Sequence, residues 1–166
     1  AAGGAVNARF ARGGTKKVWI EKSTARPPVV KTVMIKYLAC ALWAFVIFHF
    51  IASWQEWYYA YRWLDRPMHT IGGFLIAWLA AYLFLERPGH HWYPLYIHIF
   101  LVLGCVALVA IVWEFHEFIS DLFIKDPRRV MQAGVGDTMA DLFLDLVGGS
   151  MFLLWRKLLL SPEAKS

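Results

Sequence analysis

Three aspartates, Asp137, Asp141 and Asp145, recur at every fourth residue near the start of an apolar segment, Val135 to Leu160. A helix of about 3.6 residues per turn aligns them in one stripe. At about 1.5 Å per residue the stripe is about 12 Å long, so a membrane-spanning helix carries part of it into lipid. A charged side chain at the bilayer centre costs about 2.5–3.5 kcal/mol. The stripe therefore predicts a polar partner inside the membrane.

Acids and a histidine on two other apolar segments can supply that partner. Glu114 and Glu117 share one helical face, and His69 follows Asp65 by four residues. Carboxylates with one imidazole form an oxygen and nitrogen donor set suited to Mn, Fe, Zn or Mg. Paired carboxylates also suit proton transfer. The predicted metal ligands are His69, Glu114, Glu117, Asp137 and Asp141.

Further charged residues are expected around these ligands, as ion-pairing partners or as groups that orient them. They are Asp65, Asp145, Arg128 and Arg129. Simpler roles stay open for several acids. Asp65 suits the N-cap of a helix, Asp137 suits a helix N-terminus because of the macrodipole, and Glu117 suits the wet end of a helix.

Other cofactors find no support in the sequence. His49 and His98 lie in different halves of the membrane, so they cannot jointly ligate one haem, and no nucleotide-binding pattern is present. The serines lack the context of a hydrolase nucleophile, so no catalytic residue is assigned. The pairs Gly72-Gly73 and Gly148-Gly149 indicate close packing between helices.

Composition indicates the elements that hold these residues. Hydrophobic residues make up 59% of the 166-residue chain, against about 45–50% in soluble domains. The apolar residues form blocks of about the 17–25 residues that cross a bilayer as a helix. The three uncharged blocks and the aspartate-bearing one are Tyr37–Trp54, His69–Leu85, His90–Trp113 and Asp137–Trp155.

The blocks predict an all-α, polytopic membrane protein, a four-transmembrane-helix bundle with a basic N-terminal arm. The arm covers residues 1–32, the transmembrane domain residues 33–160, and a short polar tail residues 161–166. The first helix is expected from about Lys31 to Trp57, because Pro27-Pro28 should stop any earlier element.

The distribution of charge predicts topology and partners. Lysine and arginine are concentrated in the arm, which favours cytoplasmic termini in a bacterial inner membrane. The arm lacks the aromatic and basic pattern of a nucleic-acid-binding segment, so nucleic acid is not an expected partner. Membrane lipids are expected partners, as are other membrane-protein subunits contacted through the arm and the helix faces.

Three motifs in order carry a resemblance to a known family. They are Asp65-Arg66-Pro67-Met68-His69, Trp113-Glu114-Phe115-His116-Glu117, and Gly136-Asp137-Thr138 followed by Asp141 and a Gly-Gly pair. Over about residues 60–150 this order resembles the VanZ-like and YjdF-like small bacterial membrane proteins. The resemblance implies a compact helical bundle in which the polar motifs converge, and it implies no particular reaction.

The sequence favours the first of two functions and leaves the second as the alternative. The first is an accessory subunit of a larger membrane complex, in which a carboxylate and histidine cluster near one leaflet binds a divalent metal or relays protons. The second is a free-standing, metal-dependent membrane enzyme acting on lipid-linked or phosphate-bearing substrates. In that enzyme Arg128 and Arg129 would position phosphate.

Overall fold

The computed structural model describes residues 28–85, 94–123 and 130–160, with side chains from Met34 to Leu158. The arm up to residue 27, the tail, Arg128 and Arg129 lie outside the described residues. The chain divides into two compact units, Ala1–Ile35 and Lys36–Ser166. The described part of the first unit is the beginning of one helix, and the second unit holds the predicted site.

Helices account for nearly all of the described chain. They are α1 (Pro28–Trp54), the short α2 (Trp57–Ala60), α3 (Asp65–Ala80), α4 (Leu95–Phe123) and α5 (Val135–Leu160). A 3₁₀ turn, Arg62–Leu64, precedes α3, and a π-helical turn, Ala81–Leu85, follows it.

Four stretches within the described residues are long and apolar enough to cross a membrane. They are Met34–Trp54, Arg62–Leu85, Leu95–Phe123 and Val135–Leu158. The predicted all-α fold with four membrane-spanning helices is confirmed, and the protein is an integral membrane protein.

Two local predictions were wrong. The first helix begins at Pro28, since proline is tolerated in a first turn, and it ends at Trp54 rather than Trp57. The left-handed backbone of Glu56, with φ of 60°, separates it from α2. Asp65 is not an N-cap, because Leu64 already has helical backbone angles and α3 begins at Asp65 itself.

Helices α3, α4 and α5 pack against one another, and α3 with α5 forms the most extensive contact. The apolar core contains small residues of α3, such as Ala77 and Ala80, against Val102 and Val106 of α4 and Phe152 of α5. Small side chains let neighbouring helices approach closely, which is how helices commonly associate in membranes.

Two glycines set the register between α3 and α5. A Cβ on Gly73 would meet the backbone of Asp145, and a Cβ on Gly148 would meet the carbonyl oxygen of Thr70. The predicted role of the glycine pairs in close packing is thereby confirmed. This register brings the first turns of α3, where His69 lies, against the aspartate stripe of α5.

Candidate functional site

His69 is held by an aspartate of the neighbouring helix. Its Nδ1 lies 2.9 Å from Oδ2 of Asp145, and both residues are buried. With the Nδ1–H donated to this carboxylate, a neutral imidazole carries its free lone pair on Nε2. Metal-binding histidines are commonly oriented by such a carboxylate. The Nε2 atom lies 3.7 Å from Oδ1 of Asp65, one helical turn away.

Glu114 of α4 is buried with half of its carboxylate unsatisfied. The residue is 5% exposed, and among the described residues its Oε1 has no hydrogen-bond partner. The other oxygen, Oε2, accepts a hydrogen bond of 3.2 Å from Nε2 of Gln132. A buried carboxylate oxygen without a partner is costly, so it points to a ligand that completes the site.

The five predicted ligands meet in three overlapping groups together with Asp65, which was expected only to pair with them or orient them. Within each group one ligand atom per residue lies within 4.8 Å of the others. The groups are Asp65 with His69 and Glu117, His69 with Glu114 and Asp141, and Asp65 with Asp137 and Asp141. We refer to these six residues as the carboxylate–histidine cluster.

Glu117 of α4 is not at the wet end of its helix. It is 5% exposed, and its Oε1 accepts a hydrogen bond of 2.9 Å from Nε1 of Trp113. The open alternative, a solvated Glu117, is therefore wrong. The indole of Trp113 satisfies the oxygen that water would otherwise satisfy.

The segment before α5 is held beside the cluster by acids. The two oxygens of Asp121 accept the backbone N–H groups of Met131 and Gln132 at 2.8 and 2.9 Å. The Gln132 side chain then donates to both Glu114 and Thr138. In addition, Asp137 lies in the first turn of α5, as expected of a helix-initiating acid, and its Oδ2 accepts the N–H of Ala133 at 3.1 Å.

A cavity of about 410 Å³ adjoins the cluster. Its polar wall includes Asp65, His69 and Asp137, with Arg62 nearby. Its other walls are largely apolar and come from α1, α3 and α4. The apolar lining includes Leu42, Phe45, Val46, Leu75, Ile76 and Val109.

Tyr58 and His49 lie at this cavity as a hydrogen-bonded pair. The Tyr58 hydroxyl lies 2.9 Å from Nδ1 of His49. Burial raises the pKa of Tyr58 above its ordinary value, and the negative charges of Asp65 and Glu117 raise it further. Tyr58 is therefore a neutral hydrogen-bonding group at physiological pH.

The structure brings together seven of the nine residues singled out from the sequence. They are Asp65, His69, Glu114, Glu117, Asp137, Asp141 and Asp145. Arg128 and Arg129 lie outside the described residues. The metal-ligand role of the five predicted ligands stays a prediction.

Sequence reasoning missed the residues that support the cluster from outside the acidic pattern. Trp113 and Gln132 were not predicted to hold it. Trp113 precedes Glu117 by four residues, a spacing that places both on one helical face and could have indicated the contact. Gln132 lies outside any helix, and no periodicity there indicates its role.

Comparison with known proteins places the chain in a family. The model of the family described as "Predicted membrane protein (DUF2238)" matches residues 29–161. An uncharacterized protein of Thermotoga maritima is 31% identical over 86 residues, which are 51% of this chain and 42% of that relative. The chain thus spans less than half of the length of that relative. No solved structure matches. The resemblance to VanZ-like and YjdF-like proteins stays a prediction, and the chain belongs to the DUF2238 family of predicted membrane proteins.

Proposed function

We propose that this integral membrane protein binds a divalent metal in the carboxylate–histidine cluster and uses it in chemistry on an amphiphilic, phosphate-bearing or lipid-linked molecule. The observation that carries the proposal is the buried Oε1 of Glu114, without a partner among the described residues and grouped with His69 and Asp141. A metal ion at that position would satisfy this oxygen.

The donor set supports a divalent cation. Metal ligands must present lone pairs, and an imidazole whose Nδ1–H is donated to Asp145 presents Nε2. Carboxylates supply the remaining oxygen ligands. Because no thiolate belongs to the cluster, Mn²⁺, Fe²⁺, Zn²⁺ and Mg²⁺ are the metals that fit its chemistry.

The cavity supports the substrate class. Its apolar walls suit an acyl or prenyl chain, while Arg62 lies at its polar wall with Asp65, His69 and Asp137. A guanidinium binds phosphate oxygens well, and a divalent metal polarises phosphate or activates water. Arg128 and Arg129 remain proposed as further phosphate-positioning groups. This arrangement favours the metal-dependent enzyme over the accessory subunit.

Metal binding can be tested on the purified chain in detergent. Mn²⁺ titration should give saturable binding, and Glu114→Gln should weaken it, because the amide preserves the size of the side chain and removes the anionic ligand. Glu56→Gln is the matched control, because Glu56 belongs to none of the three ligand groups. Equal Mn²⁺ affinity in all three proteins would contradict the proposal.

The enzyme function requires turnover that depends on the same residues. We expect the Mn²⁺-loaded protein to hydrolyse or transfer phosphate from a lipid phosphate or prenyl phosphate, and the Glu114→Gln protein to lose this activity. A protein that binds Mn²⁺ but turns over no member of a lipid-phosphate and prenyl-phosphate panel would contradict the enzymatic part alone.

A second candidate function is that of an accessory subunit in a larger membrane complex, with the cluster binding a metal or relaying protons. It is favoured by α1, whose outward face exposes Trp43, Phe50 and Trp54 at 67%, 68% and 86%. Such a face can accept a helix of another subunit as well as lipid. Co-purification at fixed stoichiometry from native membranes would support this candidate, and a monomer with intact activity would contradict it.

The cellular location is part of the same proposal. We place the protein in a bacterial inner membrane with cytoplasmic termini, because the arm is rich in lysine and arginine. Reporter fusions at each terminus test this, and a periplasmic signal from either would contradict it.

A further inference from the structure

We propose that the cluster is a two-metal centre in which Asp141 bridges an inner and an outer divalent cation. This inference rests on the proposed metal-binding function and adds a second ion to it. The inner ion would be held by His69, Glu114 and Asp141, and the outer ion by Asp65, Asp137 and Asp141.

The three ligand groups share residues, so they cannot all bind a metal ion at the same time. His69 belongs to two groups, yet it has a single nitrogen available, since its Nδ1 contacts Asp145. Those two groups are therefore alternatives. A carboxylate has two oxygens and can bridge two ions, so Asp141 can serve both of its groups at once.

Hydrogen bonding selects between the two groups that share His69. Glu117 already has its Oε1 satisfied by the indole of Trp113. Glu114 has an Oε1 without any partner among the residues described. The group that contains Glu114 is thus the one with an unsatisfied ligand oxygen, and we assign the inner ion to it.

The two groups differ in depth. His69, Glu114 and Asp141 are 6%, 5% and 2% exposed, and neither Glu114 nor Asp141 lines the cavity. Asp65 and Asp137 do line it, and both are only half-buried. An ion in the outer group would therefore keep coordination positions open to water or substrate. Two ions that share a carboxylate lie about 3.5–4 Å apart, the spacing of sites that clamp a phosphate between two metals.

The negative charge that the cluster carries once its carboxylates are deprotonated to bind metal also favours more than one cation. Five carboxylates of the cluster and Asp145 surround one imidazole, and His69 is the one ion-pair partner that these acids have within the described residues. With all six carboxylates ionised, one divalent ion leaves most of their negative charge uncompensated within a membrane-spanning region. A second ion, facing the cavity, reduces the excess negative charge so that an anionic substrate can approach.

Metal stoichiometry separates the possible outcomes. Equilibrium dialysis of the full chain in detergent against Mn²⁺, with metal and protein quantified, should give two ions per chain. Asp137→Asn should lower this to one while the tighter ion remains, because Asp137 belongs to the outer group alone. Glu114→Gln should remove the tight ion, and Glu56→Gln should retain both.

The two ions should also be magnetically coupled to each other. Electron paramagnetic resonance of the fully loaded wild type should show magnetically coupled Mn²⁺, which Asp137→Asn converts into an isolated ion. One ion per chain in the wild type, with no coupled signal, would overturn the two-metal centre and leave the proposed function standing. No bound ion would overturn both.

Discussion

Helices α3 and α5 contact each other in two halves of opposite character. In the half near their N-termini, His69 packs against Asp141 and Asp145. In the other half, aromatic rings pack, with Phe74 and Phe152 edge to face at 5.4 Å between ring centroids and Trp155 against both. One helix pair thus buries charges at one end and rings at the other.

This difference separates what the fold needs from what the site needs. Aromatic packing stabilises a helix pair without polar groups, whereas buried charges carry a desolvation penalty that apolar residues avoid. We therefore expect α3 and α5 to associate without the charges of that half. Substitutions in that half should change metal binding, and substitutions in the aromatic half should change stability.

Among substitutions in the charged half, Asp141→Asn should have the largest effect on Mn²⁺ affinity. Asp141 is shared by two ligand groups and is 2% exposed, so no neighbouring water replaces it easily. We expect Mn²⁺ affinity to fall by more than about 100-fold, beyond the range typical of residues that only orient ligands. Stability without metal should not fall, since one buried charge is removed. Unchanged Mn²⁺ affinity would contradict the assignment of metal binding to the charged half.

Phe152→Ala should have the largest effect on the aromatic half. Phe152 is 2% exposed and contacts Phe74, Trp78 and Trp155. We expect a loss of about 3–5 kcal/mol in the free energy of unfolding, as for large-to-small changes in a core. Denaturation in detergent measures it.

The control for this substitution is Phe100→Ala, because Phe100 is 81% exposed. Stability should be nearly unchanged there. The folded fraction of Phe152→Ala should bind Mn²⁺ as the wild type does. A large loss of affinity in that fraction would mean that the aromatic half shapes the site directly.

Gly148→Ala should affect both halves, because Gly148 contacts Thr70 where the two halves meet. The added Cβ would press on the Thr70 carbonyl oxygen and shift α3 against α5. We expect about 1–3 kcal/mol of lost stability, typical of overpacking, together with weaker Mn²⁺ binding. Gly104→Ala is the matched control, since its Cβ would meet nothing within 4 Å. Equal stability of both variants would contradict the assigned register.

Asp145→Asn should have a smaller effect, which is limited to Mn²⁺ affinity. The amide keeps the size of the side chain, yet it no longer accepts the Nδ1–H bond of His69 as a carboxylate does. We expect Mn²⁺ affinity to fall by about 10–100-fold and the number of bound ions to stay the same. A lower ion count would instead identify Asp145 as a ligand.

The sequence predicted the helices and the charged residues of the site because both leave periodic signals. Apolar blocks of membrane-spanning length indicated the four spans, and the four-residue spacing of Asp137, Asp141 and Asp145 indicated a shared face. The paired glycines indicated close helix packing, which Gly73 and Gly148 provide.

Other features depend on tertiary contacts that no single segment encodes. The left-handed Glu56 between α1 and α2 gives no sequence signal, because glutamate rarely adopts that backbone. The role of Gln132 follows from the path of the segment before α5, which Asp121 fixes from another helix. The division of the cluster into a satisfied Glu117 and an unsatisfied Glu114 depends on which acid the Trp113 indole contacts.

The most direct test of the central claim is pulsed electron paramagnetic resonance on the Mn²⁺-loaded protein with ¹⁵N-labelled histidine. We expect ¹⁵N coupling from one directly bound imidazole, lost in His69→Gln and retained in His49→Gln. Mn²⁺ bound by the wild type without any histidine nitrogen coupling would contradict it.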